Sequence, residues 1–464
     1  MTSVAWFRRD LRLHDNPTLV AAAERGPVAA LFVFDDRLIH GRWLSPNRVA
    51  FMLESLRELD ADLRDRGIRL HLRSGRPEEV VPAFAAEAGA GHVFAARDYS
   101  PFARSRDAAV ARGLASVGVM FHARRSVLVH EPEDIGKADG SPFSVFTPFF
   151  RRWGALSRRA VLPAPMELEG PELAGGHLPG LAELGLGEAA AGRLPGGERA
   201  ARGRLETFVA GGLDGYEERR DYPGRPGTSR LSQDLRWGLL SPLEVVERAK
   251  ASPKFVAEVA WREFYYHILW YHPGVTREPL QQQYQGMHWE QDEAALDAWK
   301  RGATGYPLVD AGMRELLETG FMHNRARMVS ASFLTKHLLI DWREGERHFM
   351  EHLVDGDLAS NNGGWQWAAS TGTDAQPYFR IFNPYAQAAK FDPDGTYVRR
   401  WLPELGLVPD AYLQRPHEMP PDVQRAAGCV IGVDYPSPIV EHGMARDRAL
   451  ARFEAARRAT TGFA

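Results

Sequence analysis

Residues 355–384 read DGDLASNNGGWQWAASTGTDAQPYFRIFNP, a polar loop followed by a stretch with two tryptophans. The loop is rich in turn-forming residues and carries two carboxylates, Asp355 and Asp357. Trp365 and Trp367 lie two residues apart, which on a helix is about 200° of rotation, so their indoles point in different directions. One indole can then line a cavity while the other points into the protein interior.

Two upstream segments share one spacing of polar and apolar side chains. The residues stand at positions i, i+3 and i+4, so each trio lies on one helical face. The first trio is Glu258, Trp261 and Arg262, and the second is Asn324, Arg327 and Met328. Such a mixture is unusual for a plain core, because buried polar groups need partners. Two partly exposed amphipathic helices are the alternative interpretation.

The segment GTSRLS at residues 227–232 offers backbone N–H groups, hydroxyls and Arg230 ahead of a helix. A helix N-terminus favours anions, so this is a workable site for phosphate groups. Without other support, the same pattern is more often the capped start of a helix.

The first 125 residues predict a different kind of structure. Helical patterns such as 48–66 and 77–88 alternate there with apolar runs of strand length, namely 4–7, 29–34, 70–72, 93–95 and 119–122. This alternation predicts an α/β domain with a doubly wound, Rossmann-like parallel sheet. Residues 126–200 lose the rhythm and are interpreted as an interdomain linker. Residues 201–464 predict a large all-α domain.

Bulk composition excludes several classes of protein. The chain has no run of 18 or more apolar residues, and its early charges do not resemble a signal peptide. Its single cysteine, Cys429, excludes an internal disulfide framework. A net charge of −3 does not indicate nucleic-acid binding, although a local basic groove would suffice for it. We expect a cytoplasmic monomer that does not enter a membrane.

Short sequence motifs give no strong evidence for a metal site or for a nucleotide site. His348 and His352 fit the H-x-x-E-H pattern of some zinc proteases, but the pattern is short and we identify no third ligand. The residues from Asp355 onward fail the EF-hand pattern, because Ser360 stands where glycine is needed. We therefore expect no metal. The first strand is not followed by G-x-G-x-x-G, so the α/β domain lacks the usual dinucleotide fingerprint.

The chain as a whole resembles the cryptochrome/photolyase family, and within it the class I bacterial photolyases of cyclobutane pyrimidine dimers. The resemblance rests on segment 355–384 and on six further ones: WFRRDLRLHDNPTL (6–19), FTPFFRRW (146–153), GTSRLS (227–232), EVAWREFYYH (258–267), TGYPLVDAGMREL (304–316) and MHNRARMVSASFL (322–334). It implies an antenna-chromophore domain at 1–125 and a domain at 201–464 that binds FAD and the DNA lesion.

The resemblance implies roles for individual residues. FAD, non-covalent and reduced in the active state, would be held by Tyr216, Thr228, Ser229, Arg230, Leu231, Ser232, Arg262, Asn324, Arg327, Asp355, Asp357 and Asn361. The lesion would be held and acted on by Glu258, Trp261, Asn324, Met328 and Trp367, with Glu258 stabilising the charged dimer. Asn361 favours repair, since photolyases usually carry asparagine there and cryptochromes carry other residues.

By the same resemblance, electrons reach the flavin through Trp365, Trp342 and Trp289, which composition alone would place in the core. The partner would be double- or single-stranded DNA that contains pyrimidine dimers. Glu258, Trp261 and Asn324 would contact that DNA, as would Arg220 and Arg325. Arg219 and Arg225 are further candidates for phosphate, and a solvated face is the alternative for each arginine.

The antenna chromophore depends on a short stretch around Asp98. Asp98 and Arg48 match positions that contact a deazaflavin in some members of the family, so we predict a deazaflavin site, with FMN as the alternative. Folate is disfavoured, because Ala103 stands where folate-binding members tend to have a carboxylate. An empty pocket with two surface charges is the bland interpretation.

Two other functions compete with repair of cyclobutane dimers. A cryptochrome-type photoreceptor without repair activity is the main alternative, and we expect a long C-terminal tail there, which this sequence does not show. Repair of the six-four photoproduct is the other. Enzymes of that kind have a histidine-bearing pocket, whereas this chain has Asn324 and Met328 in the matching stretch.

Overall fold

The N-terminal part of the protein is an α/β domain built on one parallel sheet. The computed structural model describes residues 1–375 and 377–461. The five strands are in the order β3-β2-β1-β4-β5 and comprise β1 (Thr2–Phe7), β2 (Val28–Phe34), β3 (Leu70–Ser74), β4 (Ala90–Ala96) and β5 (Met120–Arg124). β2 is buried along its whole length and β1 nearly so, as expected when helices cover both faces of a sheet. The predicted doubly wound sheet is confirmed.

Six helices accompany the sheet: α1 (Pro17–Ala23), α2 (Asp36–Ile39), α3 (Pro46–Arg64), α4 (Pro77–Glu87), α5 (Pro101–Ser116) and α6 (Phe146–Ala155). The helix predicted at 48–66 begins and ends two residues earlier. The hydroxyl of Ser45 accepts the backbone N–H of Arg48, and Pro46 occupies the first turn, so the cap decides the start of α3.

The stretch from residue 156 to residue 197 contains turns but no helix or strand. It runs along the α/β domain, where Val28 donates its backbone N–H to Glu169 and Leu72 to Gly175. The helix α6 lies within the stretch 126–200 that the sequence suggested as a linker.

The rest of the chain is helical, which confirms the predicted α fold. Its helices are α7 (Glu198–Thr207), α8 (Tyr216–Arg219), α9 (Ser232–Trp237), α10 (Pro242–Arg248), α11 (Pro253–Tyr271), α12 (Glu293–Arg301), α13 (Pro307–Thr319), α14 (Asn324–Ser332), α15 (Trp342–His352), α16 (Leu358–Ala368), α17 (Pro384–Phe391), α18 (Thr396–Trp401), α19 (Asp410–Leu413), α20 (Pro421–Ala427) and α21 (His442–Thr461). Short π turns lie at Phe208–Gly212 and Phe333–His337. Single 3₁₀ turns lie at Pro132–Asp134, Pro273–Thr276, Gln282–Tyr284, Pro403–Leu405 and Pro416–Glu418.

The two parts of the chain share a hydrophobic core. One continuous cluster of buried side chains includes Phe7 of β1, Phe51 of α3, Phe264 of α11 and Ala359 of α16. The α/β domain therefore packs directly against the helices that carry the predicted site. Among the described residues, no helix is both long and apolar enough to cross a membrane.

Candidate FAD and lesion site

One cavity of about 580 Å³ lies between α9, α11, α14 and α16. This volume is within the range of small-molecule and cofactor sites. The predicted residues that line it are Tyr216, Arg220, Thr228, Ser229, Arg230, Leu231, Ser232, Glu258, Trp261, Arg262, Asn324, Arg327, Met328, Asp355, Asp357, Asn361, Trp365 and Trp367. The structure thus brings together segments that are up to about 150 residues apart in sequence.

Seven predicted residues do not line the cavity: Trp342, Trp289, Arg325, Arg219, Arg225, Arg48 and Asp98. Several lining residues were missed by the sequence analysis, notably Arg236, Tyr265, Phe321 and Gly364. Arg236 follows Ser232 by one helical turn, and this spacing was a usable signal. Nothing in the local sequence marks Phe321 or Tyr265.

The segment that precedes α9 holds its polar groups open to the cavity. Arg230 adopts a left-handed conformation with φ of 54°, and its guanidinium lies 3.7 Å from the ring centre of Phe321. Within the described residues, the hydroxyls of Thr228, Ser229 and Ser232 have no hydrogen-bond partner. These donors are available to a ligand.

Asp355 and Asp357 play different structural roles. Both carboxylate oxygens of Asp355 accept from Nη2 of Arg327, at 3.1 and 2.9 Å. Asp357 caps α16, where its Oδ1 accepts the backbone N–H of Ser360 at 3.0 Å. Asp355 keeps an ordinary ion pair at the cavity wall, whereas Asp357 is part of a larger buried network.

Asp357 is held from the α/β domain. Its Oδ2 accepts from Nη2 of Arg9 at 2.6 Å and from the hydroxyl of Tyr266 at 2.5 Å. Burial would raise the pKa of Asp357, but the positive charges of Arg9, Arg262 and Arg236 hold it well below its usual range. The carboxylate is therefore ionised, and its oxygens are engaged by protein donors.

The residues that the resemblance implies for the lesion also line the cavity. The indole of Trp261 stacks on Phe146 with ring centres 3.9 Å apart and planes 10° apart, which fixes its orientation. On α14, Nδ2 of Asn324 lies 3.6 Å from Sδ of Met328. The two i, i+3, i+4 faces of the sequence do line one cavity, and the interpretation as plain exposed helices is not needed.

The arginines beside these residues already have partners. Arg220 forms an ion pair with Glu258, and Nζ of Lys254 lies 4.0 Å from the same carboxylate. Arg325 pairs with Asp221 at 2.8 Å, and its side chain is 14% exposed. A DNA phosphate would have to compete with these carboxylates.

Two more arginines were expected near phosphate. Arg225 is about half exposed and pairs with Asp394 at 2.8 Å, and Arg219 donates to the carbonyl of Asp214. Exposed ion pairs are weak. The pair between Arg225 and Asp394 would therefore be the easiest of these for a phosphate to displace.

The three tryptophans of the expected chain share one hydrophobic cluster, to which Trp365 and Trp342 belong and against which Trp289 packs. Trp365 lines the cavity, and its ring packs against Gly345, where a Cβ would lie 2.0 Å from the ring. Gly345 lies about one turn into α15, the helix that begins at Trp342. Trp342 is fully buried, and Trp289 is half-buried beside a bridge between Glu290 and Ile340. Their order in a chain and their role in electron transfer both stay predictions.

The H-x-x-E-H pattern brings three possible metal ligands together. Ligand atoms of His348, Glu351 and His352 all lie within 4.8 Å of one another. Glu351 is the candidate third ligand, which could not be identified from the sequence. All three residues come from one helix, and Nδ1 of His352 is hydrogen-bonded to the carbonyl of His348. We assign no metal to them.

The predicted antenna residues lie behind the cavity. Nη1 of Arg9 lies 3.5 Å from Oδ1 of Asp98, and the buried guanidinium of Arg48 donates to three backbone carbonyls. Ala103 is buried in α5. Both Asp98 and Arg48 are therefore structurally engaged, and the antenna assignment stays a prediction.

The residues present fit FAD. Within segment 228–232, the unpartnered hydroxyls can donate hydrogen bonds to a diphosphate, and the guanidinium of Arg230 can neutralise part of its charge. Nδ2 of Asn361 donates to the carbonyl of Glu346 at 3.0 Å, which leaves its Oδ1 as an acceptor for a ligand. A Cβ on Gly364 would meet nothing within 4 Å, so the wall there is open for a flat ring to approach the backbone.

Comparisons with known proteins agree with this site. Residues 255–455 match the family model described as the FAD binding domain of DNA photolyase, and residues 3–167 match the one described as DNA photolyase. A deoxyribodipyrimidine photo-lyase of Halobacterium salinarum is 42% identical, over 97% of this chain and 98% of its own.

Solved structures are similar in fold as well. A bacterial class III photolyase from Agrobacterium tumefaciens is 39% identical, with a TM-score of 0.93 and 98% of each chain covered. A cryptochrome from Synechocystis sp. PCC6803 is 30% identical, with a TM-score of 0.89 over 97% of this chain and 98% of its own. The class I placement stays a prediction, since so similar a structure is described as class III. The chain belongs to the cryptochrome/photolyase family, and within it to the deoxyribodipyrimidine photo-lyases.

Proposed function

We propose that this protein repairs cyclobutane pyrimidine dimers in DNA with light and bound FAD. When bound there, FAD would supply the light-driven and reversible one-electron chemistry that opens the cyclobutane ring. The observation that supports this is that the residues expected to hold the flavin and those expected to hold the lesion line one and the same cavity. Asp355 with Arg327, the 228–232 segment and Asn361 hold the cofactor.

Another part of the same cavity receives the dimer. Photolyases are known among the enzymes that take a base out of the stack, at a cost of a few kcal/mol that is lowest for damaged bases. Stacked on Phe146, Trp261 offers a fixed apolar wall, and Trp367 offers another. Asn324 donates and accepts hydrogen bonds at the pyrimidine edges. The protein acts as a monomer on single- or double-stranded DNA.

The experiment is repair of dimer-containing oligonucleotides by reduced, FAD-loaded protein under blue light. We expect restoration of intact pyrimidines in light and none in the dark or with undamaged DNA. If reduced protein binds the lesion and leaves it unchanged after illumination, the photoreceptor function is correct instead.

Glu258→Ala is expected to lower the repair yield per bound complex several-fold and to change lesion affinity less. Glu258 acts on the charged state of the dimer, and only interactions that strengthen in that state change the rate. Repair yield at saturating protein and lesion affinity are measured separately.

A matched control for Glu258 is Glu247→Ala, which removes a partly exposed glutamate paired with Arg158 at 3.0 Å. It should leave both quantities unchanged. Equal yields per complex for Glu258→Ala and the parent would remove the proposed role.

The antenna site is proposed to take a deazaflavin, with FMN as the alternative. Protein from a host without deazaflavin should carry FAD alone and then bind added deazaflavin with energy transfer to FAD, seen in the excitation spectrum. Stoichiometric binding of folate with sensitised repair, and none of deazaflavin, would contradict the assignment from Asp98 and Ala103.

A further inference from the structure

The loop 355–357 is contacted by two arginines, the buried Arg48 and the half-buried Arg236, that form no ion pair with a carboxylate among the described residues. Arg236, on α9, donates from Nε to the carbonyl of Gly356 at 2.8 Å. Arg48, on α3 of the α/β domain, donates to the carbonyls of Trp43, Met350 and Leu353. Both guanidinium groups thus bond only backbone oxygens among the described residues, and these contacts do not neutralise their charges.

Gly356 is needed for this arrangement. A Cβ at that position would lie 2.6 Å from Nη1 of Arg48, so any side chain would push the guanidinium away from the loop. The absence of a side chain allows Arg48 to contact the loop from one side while Arg236 bonds it from the other. The loop is one wall of the cavity.

The nearby carboxylates are already used. Asp355 pairs with Arg327, and Asp357 pairs with Arg9, which also lies beside Asp98. Glu351, half-buried on α15, is the remaining carboxylate near Arg48. Arg262 adds another cation near Asp357. Positive charge therefore exceeds negative charge behind this wall.

Holding two such positive charges away from water lowers the stability of the fold. Burial lowers the pKa of Arg48 to about 9, helped by the charge of Arg236, and burial likewise lowers that of Arg236 to about 10, helped by Arg9. Nη1 of Arg236 is also buried without a hydrogen-bond partner. Buried cations without a partner destabilise a fold unless an anion offsets them.

We propose that Arg48 and Arg236 are positioning residues whose uncompensated charge favours the anionic reduced ring of FAD over the neutral oxidised ring. Reduction adds two electrons and one proton, so the product carries one negative charge more than the oxidised form. A fixed positive potential is preorganised for that charge and needs no rearrangement when it forms. The inference rests on the proposed FAD site and adds residues that its assigned contacts do not include.

The anion could also be the diphosphate of FAD, and binding measurements separate the two. The dissociation constants of oxidised FAD, reduced FAD and ADP are measured for the parent and for Arg236→Gln. A charge that acts on the ring weakens reduced FAD more than oxidised FAD and leaves ADP unchanged. A charge that acts on the diphosphate weakens all three equally.

The decisive readout is the ratio of oxidised to reduced FAD in the holoprotein, equilibrated with dithionite and a reference dye. Arg236→Gln should raise this ratio about tenfold at fixed potential, which is about 30 mV for a two-electron couple. Arg236→Lys, which keeps the charge, should stay near the parent. Arg301→Gln, at a side chain that is 68% exposed, is the control for loss of an arginine elsewhere.

Gly356→Ala is the second variant, in case Arg236→Gln does not fold. It displaces Arg48 without removing a charge and should shift the ratio in the same direction by a smaller factor. An unchanged ratio in a folded variant of either kind, or an equal loss of ADP binding, overturns the inference. A parent that binds FAD and shows the expected shifts but repairs nothing overturns the proposed function alone.

Discussion

Trp365→Phe is expected to abolish photoreduction of oxidised FAD by external donors and to leave repair by chemically reduced protein nearly unchanged. Trp365 lines the cavity and is buried, and Trp342 and Trp289 are the further members of the expected chain. An electron from outside must pass this first indole, whereas the lesion exchanges its electron with the flavin directly. Absorbance of the flavin under illumination and repair in the pre-reduced state are the two measurements.

Trp299→Phe is the matched control. Trp299 is also fully buried, and its ring centre lies 5.9 Å from that of Trp365, but it does not belong to the expected chain. Its loss should leave photoreduction in place. The assigned route is wrong if FAD in Trp365→Phe is photoreduced as fast as in the parent. It is also wrong if Trp299→Phe is the variant that abolishes photoreduction.

Asp357→Asn is expected to lower the free energy of unfolding by about 3 kcal/mol, because the largely buried Arg9 loses its shorter carboxylate contact and keeps only Asp98, at 3.5 Å. Arg9 is joined to Asp357 at 2.6 Å, and the Asp357 side chain is 6% exposed. The variant also removes charge from the cap of α16, which carries Asn361, Trp365 and Trp367. Urea unfolding of parent and variant at neutral pH measures the difference.

The pH dependence has a definite sign. The pKa of Asp357 is lowered in the folded state, so its contribution to stability is present above the unfolded value of about 4 and is lost as the pH falls through the folded value. The gap between parent and Asp357→Asn should therefore close in acid. Asp394→Asn, which breaks an exposed pair with Arg225, should cost less than about 1 kcal/mol. A similar small cost for Asp357→Asn would show that its network does not stabilise the fold.

Much of the site could be predicted because its residues lie in short segments with regular spacing. Glu258 with Trp261, and Asn324 with Met328, share helical faces, and a helix keeps such faces together in any fold. The α/β rhythm of the first 125 residues likewise depends on local periodicity, and the observed strands differ from the predicted runs by three residues at most at either end. The family resemblance supplied the roles that spacing cannot.

Contacts between the two parts of the chain were not predictable. Arg9 lies 348 residues from Asp357, and Arg48 lies more than 300 residues from two of the three carbonyls that it bonds. The local sequence around Arg48 suggested an antenna contact, while the structure places its guanidinium behind the loop 355–357. Ion pairs and buried hydrogen bonds depend on distances between elements, and no local pattern encodes these.

The sequence by itself determined the order of the strands and helices, the polar faces of α11 and α14 and the family to which they belong, because periodicity and motifs are local. Only the tertiary structure decided that these faces line one cavity, that Asp357 is held from the α/β domain, and that Arg48 and Arg236 form no ion pair with a carboxylate in the part of the chain that the structure describes. Those features arise when distant elements pack together, since burial and neighbouring charge exist only in the folded protein.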